Sequence, residues 1–263
     1  MKTRPSSPRK RRVLRISLLI LAAITLLALI NFFPAFRLKT SGMSRLQGDY
    51  VCVYYEIEKE AAETVFEHLE NEGERICQKV GTRPEEPVDV YIYDQQKTMQ
   101  QKKYGLAATF LSLDWYIGDN IGDQVILTSP AAPGSFHDAE AIVGASAHEL
   151  VHAYVSIINP RIRLWLTEGM ALYLANGDPF EVSCLDSMPI PTLSDTRTIN
   201  PIRFNNSGGY LFAHTYIEFL EKAYGWPAVM ELIRTQDYPT ALGKTESLIY
   251  DEWVSFLKNY PTS

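Results

Sequence analysis

The residues His148-Glu149-Leu150-Val151-His152 have the types and spacing of a metal-assisted hydrolase site. On a helix, side chains at i and i+4 lie one turn apart on the same face. Two imidazoles so placed converge on one tetrahedral cation, and Zn²⁺ is the ion that suits them. Glu149, beside the first ligand, can take a proton from a water as that water attacks a carbonyl. An HExxH pentapeptide arises by chance in about one chain in a hundred of this composition, so the motif reads as functional. A catalytic zinc takes a third protein ligand and keeps one open position. A third histidine on the extended form of this motif would stand at position 158, after glycine at 155. The chain has Ile158 and Val155 there. The better candidate is Glu168, which lies among Trp165, Leu166, Met170 and Leu172, where an idle carboxylate is costly. A carboxylate at a helix start also has a plainer reading, as a partner of the helix dipole.

Further along, Tyr210 and His214 stand four apart on one expected helix face. Either could donate to the oxygen that becomes negative during acyl transfer, and His214 is also a reserve metal ligand. Such a pair is equally familiar as plain helix packing. His68 and His137 read as surface or cap residues.

These side chains need elements to position them. Tyr50–Tyr55 and Val88–Tyr93 are rich in β-branched and aromatic residues and read as strands. Between them Glu58–Val80 has the apolar spacing of an amphipathic helix, stopped by Gly81 and Pro84. A short helix is expected over Gln95–Tyr104, then two strands, Trp115–Ile117 and Gln124–Thr128, joined by a turn. After Pro133 the pattern becomes helical. Ser135 and Asp138 have capping spacing ahead of a helix to about Ile157, and Pro160 turns the chain back. Thr167–Ala175 reads as a short helix opened by Glu168's turn and closed by Asn176-Gly177. Residues 178–206 read as an irregular loop. Helices follow over Gly208–Tyr224, Pro227–Thr235 and Lys244–Asn259. The fold class is α+β, a small N-terminal mixed sheet with helices and a helical C-terminal half.

HELVH followed by WLTEGMALYLA resembles the gluzincin zinc peptidases, in particular the peptidase MA-like domain family. The likeness covers roughly residues 48–260, within one domain expected over 48–263. YVCVYY, the next helix and VDVYIY resemble its first half, QVILTSP its edge strand, and YLFAHTYIEFLEKAYG and ALGKTESLIYDEWVSFL its last helices. The resemblance implies a zincin-like fold, His148, His152 and Glu168 as zinc ligands, Glu149 as general base and Tyr210 as the catalytic oxyanion donor. Fifteen residues separate His152 from Glu168, a shorter link than in the best-known gluzincins. The expected substrate is a peptide or protein, whose backbone would pair with the edge strand at Val125–Thr128. Two other readings stay open: a non-catalytic extracytoplasmic binding module that keeps the fold, and zinc-dependent hydrolysis of a non-peptide amide or epoxide.

The chain of 263 residues carries a net charge of -6 that is unevenly spread. Seven of its 25 basic residues fall within positions 1–15, leaving 18 against 31 acidic residues, or -13, for the rest. A terminal basic tag of this kind does not mark a nucleic-acid-binding domain, whose charge lies on a folded surface. The uncharged stretch Ile16–Phe36 is 21 residues, about 31 Å as a helix, and matches a bilayer's hydrocarbon core. It reads as a transmembrane signal anchor, with residues 1–15 a cytoplasmic tail, 37–47 a polar stalk, and the domain outside. The alternative is a secreted protein after signal cleavage, but the run exceeds a usual signal core and shows no small-x-small site. Cys52, Cys77 and Cys184 have no CxxC spacing. A Cys52–Cys77 disulfide and three small buried apolar side chains are both open readings.

Overall fold

The computed structural model describes residues 8–175 and 180–260. It opens with helix α1, Pro8–Phe32, continued by a 3-10 turn over Phe33–Phe36. This helix is long and apolar enough to cross a membrane, and its apolar window is exposed throughout. Among the described residues, five strands form one mixed sheet: β1 (Ser44–Gln47), β2 (Val51–Tyr55), β3 (Val88–Tyr93), β4 (Gly118–Ile121) and β5 (Gln124–Thr128). Their order is β1-β2-β3-β5-β4, with β2, β3 and β5 parallel and both edge strands antiparallel. Helices dominate the remainder, so the architecture is α+β with an apolar N-terminal helix.

Alternation sorts the two faces of the sheet. Val51, Val53, Val88, Val90, Val125 and Leu127 face one side and share a core with Ala62, Val65 and Leu69 of α2 (Lys59–Val80). Leu150 and Val151 of α4 (Ala139–Ile158) join that core. Tyr91, Tyr93 and Ile126 face the other side and meet Met99 of α3 (Gln96–Tyr104) together with Leu38 and Met43. Helix α4 is apolar enough to pass as a second span, but half of it is buried here as a core helix. Asp138 caps it, its side chain accepting from the Ala141 N–H.

After α5 (Leu164–Leu174), the short helices α6 (Cys184–Ser187) and α7 (Pro201–Asn206) precede α8 (Gly209–Tyr224), α9 (Trp226–Thr235), α10 (Tyr238–Leu242) and α11 (Glu246–Lys258). Trp165 of α5 is buried edge-on against Phe204, Tyr216 and Trp253, which ties α5 to α7, α8 and α11. The Trp253 indole N–H donates to Thr215 Oγ1 at 3.0 Å, so this aromatic cluster includes one satisfied polar pair.

Several expectations need correction. Residues 37–47 are no free stalk: Leu38 and Met43 are buried and Ser44–Gln47 adds a strand. The outermost strand beside β5 is Gly118–Ile121, not Trp115–Ile117, and β5 is therefore interior, with no free edge for a substrate at Val125–Thr128. The stretch 178–206 contains two short helices rather than loop alone. The expected helix over Lys244–Asn259 begins at Glu246, behind a separate turn of helix. The Asn176-Gly177 closure lies outside the described residues. Among those residues all three cysteines are free. Cys52 alternates onto the sheet face away from α2, whereas Cys77 lies on α2 and its thiol donates to the Tyr154 hydroxyl at 3.0 Å. Strand periodicity thus places the sheet between the two sulfurs.

Candidate metal centre

The two histidines of α4 and the carboxylate of α5 come together. His148 Nε2 lies 3.0 Å from His152 Nε2. Glu168 Oε2 is 3.5 Å from the first nitrogen and 3.7 Å from the second. Three atoms bonded to one zinc at 2.0–2.1 Å sit roughly 3.3 Å apart in a tetrahedral site. The observed triangle has that size. Among the described residues, it is the group of histidine, cysteine and acidic side chains that could hold a metal ion.

The donors also fit a cation chemically. Glu168 is buried, and its Oε2 has no hydrogen-bond donor. An unpaired buried carboxylate oxygen is expensive unless a positive charge faces it. Burial pushes the Glu168 carboxyl up, but the neighbouring His148 and His152 outweigh burial and hold it at about 2. The carboxylate is anionic at neutral pH and ready to act as a ligand.

Helix α5 begins at Leu164, so Glu168 sits in its second turn rather than at its start. That placement removes the reading of Glu168 as a partner for the helix dipole, which acts within the first turn. The preceding residue, Thr167, carries a contact that motif spacing alone does not reveal. Its Oγ1 lies 2.8 Å from His152 Nδ1. A lone pair on Nε2 requires the ring proton on Nδ1, which then donates to the Thr167 hydroxyl and fixes the ring's orientation.

Glu149 projects from the same helix toward β4, where a Cβ built on Gly118 would lie 3.4 Å from its Cγ. It keeps a partial opening to solvent. Desolvation pushes its carboxyl up to about 8, with His148 pulling the other way and Asp119 and Glu168 adding to the rise. Asp119 is held by Lys103 Nζ at 2.9 Å and by the Tyr116 hydroxyl. A cation between the ligands would lower the Glu149 carboxyl again.

All these groups open into one cleft of about 910 Å³. Its lining includes the β4 residues Gly118–Ile121 and Tyr210. Tyr210 stands in the first turn of α8, edge-on to Phe204 and half exposed. Partial burial and then the carboxylates of Glu168 and Glu149 push its hydroxyl above the usual range, so it stays a proton donor. His214, one turn later, does not line the cleft. It packs near Phe180 with its Nε2 buried and unpaired, and burial lowers its pKa. Of the two residues, Tyr210 lines the cleft and His214 does not. His137 bonds the Trp115 carbonyl at 2.9 Å, a structural contact, and His68 is partly buried on α2. Comparison of the chain with family models, curated proteins and solved structures gives no match.

Proposed function

We propose that the chain is a membrane-anchored zinc metallopeptidase with a zincin-like fold, of the gluzincin, peptidase MA-like kind. The observation that carries this reading is the convergence of His148 Nε2, His152 Nε2 and buried Glu168 Oε2, with Glu149 on the adjoining turn. His148, His152 and Glu168 would hold the zinc. Bound there, zinc supplies a positive charge that polarises a carbonyl and lowers the pKa of water. Glu149 takes the proton of the attacking water and can pass it to the leaving amine. Tyr210, which lines the same cleft, donates to the oxygen that gains charge. On the outer edge of β4, an extended peptide backbone would pair at Gly118, because the Asn120 N–H and carbonyl are already held by Asp119 and Lys103. The excess of basic residues ahead of the apolar run, in positions 1–15, supports a cytoplasmic N-terminus and an external domain.

The test is Glu149→Gln, assayed with a broad peptide library and by metal analysis. Cleavage should be lost while one zinc per chain is retained. Full activity in the variant overturns the mechanism. A wild type that holds stoichiometric zinc but cleaves nothing supports the binding-module reading instead.

A further inference from the structure

Helix α1 does not simply tether the domain; the domain is bonded to it below its end. The Asn31 amide donates to the Tyr104 carbonyl at 3.4 Å, and its Oδ1 accepts the Ala107 N–H at 2.8 Å. Gly105, at φ +74°, lies so close that a Cβ there would meet the Asn31 carbonyl oxygen at 2.4 Å. The chain segment after α3 therefore packs directly on the helix backbone at residue 31.

The depth of that contact follows from helix geometry. Arg15 is the last charge before the apolar run and Arg37 the first after it. At 1.5 Å per residue, Asn31 lies about 24 Å above Arg15, whereas the hydrocarbon core is about 30 Å thick. Asn31 therefore sits just inside the outer edge of that core. The 3-10 turn Leu106–Phe110 packed beside it must lie at the same level.

Its side chains suit that level. Phe110 is 89% exposed, Leu111 50% and Leu106 41%, and Phe33 and Phe36 of the helix exit are exposed as well. Trp115, 60% exposed, stands at the other end of the segment. In water these would be an unexplained apolar patch; at a membrane interface they form an anchoring belt of aromatic and aliphatic groups. Gln100 and Gln101 of α3 hold the segment from behind, donating to the Leu113 carbonyl at 2.7 Å and to Thr109 Oγ1 at 2.8 Å.

We infer that residues 105–115 are a second membrane contact, inserted in the outer leaflet's interface beside α1. The inference rests on the reading of α1 as a membrane span. It has a consequence for the proposed peptidase. Ala35, Tyr104 and Trp115 line the same cleft as His148 and Glu149, so the cleft opens at the bilayer surface. Polypeptide emerging from the membrane is the substrate class within its reach.

The test uses the full chain in phosphatidylcholine vesicles whose lipids carry a nitroxide high on the acyl chain. With Cys77→Ser and Cys184→Ser, and Cys52 left buried, a fluorophore is placed through Phe110→Cys, Leu111→Cys, Ile24→Cys or Leu248→Cys. Labels at 110 and 111 should be quenched severalfold more than the label at 248 and nearly as much as that at 24. Quenching at 24 with 110 and 111 matching 248 overturns the inference and leaves the span intact. Absence of quenching at 24 overturns the span, and the inference with it. The paired labels at 110 and 111 guard against one substitution disturbing the turn.

Discussion

The proton on His152 decides whether its Nε2 can bind a metal, and the Thr167 hydroxyl, 2.8 Å from Nδ1, is placed to hold that proton there. Thr167→Val removes the acceptor while keeping the shape. Zinc affinity should fall about 10- to 100-fold, measured by competition with a chelating dye. Hydrolysis at saturating zinc should largely return, because neither Glu149 nor Tyr210 is touched. Unchanged affinity would show that the hydroxyl does not orient the ring. Tyr210 calls for a different measurement. If its hydroxyl meets charge only as the reaction proceeds, Tyr210→Phe should lower kcat by about 10²- to 10³-fold and leave KM nearly unchanged. A rise in KM alone would assign Tyr210 to binding. His148, Glu149 and His152 are legible from sequence because i, i+4 geometry is local. Glu168 is legible as a carboxylate out of place in an apolar run. Thr167 is not, since a threonine beside a ligand has no type or spacing that marks it.

Legibility at the level of elements follows the burial pattern. β2, β3 and β5 are readable because the central sheet is covered on both faces, with their valines on the α2 side and Tyr91, Tyr93 and Ile126 on the other. β1 escapes notice because Ser44–Gln47 has one partly buried residue, Leu46, and no apolar alternation. β4 is displaced from its expected position because the hairpin at Gly122-Asp123 pairs Ile121 with Gln124 and draws GDNI into the ladder. Trp115–Ile117 supplied the apolar signal, yet Tyr116 serves a different cluster. Asn200-Pro201 is a cap followed by a first-turn proline, and the Asn200 side chain accepts from Ile202 and Arg203 N–H groups to start α7. The packing that sets Glu168 in place is less visible. α5 crosses α8 at Gly169, where a Cβ would come within 2.7 Å of the Ala213 carbonyl oxygen. That obstacle is backbone and cannot rotate away. Gly169→Ala should therefore cost about 1–3 kcal/mol, seen as a fall of several degrees in Tm. It should also weaken zinc binding, since α5 carries Glu168. An unaltered Tm would mean that the two helices separate at no cost.

At the scale of the whole molecule, the apolar helix and the domain are legible separately, but their attachment is not. Sequence places a stalk between them; the fold instead buries Leu38 and bonds its carbonyl to the Tyr93 hydroxyl at 2.6 Å. Lys102 Nζ donates to the Arg37 carbonyl at 2.5 Å, and Asn31 joins the segment after α3. These contacts link residues 55 to 76 positions apart in the chain, which no local pattern encodes. They make the helix exit part of the domain's surface and, with α1 spanning a membrane as proposed, would fix how the cleft sits over the bilayer. Asn31→Leu tests that attachment. It makes the span more apolar while removing the acceptor for Ala107 N–H and the donor to Tyr104. Loss of one such bond is worth about 1 kcal/mol, so amide exchange at 105–107 should quicken about five- to tenfold in vesicle-bound protein. Cleavage of a short soluble peptide should be unaffected, because the proposed zinc ligands lie on α4 and α5. Equal exchange in variant and wild type would mean that the domain swings freely on its anchor, and the orientation of the cleft would then be set by something other than Asn31.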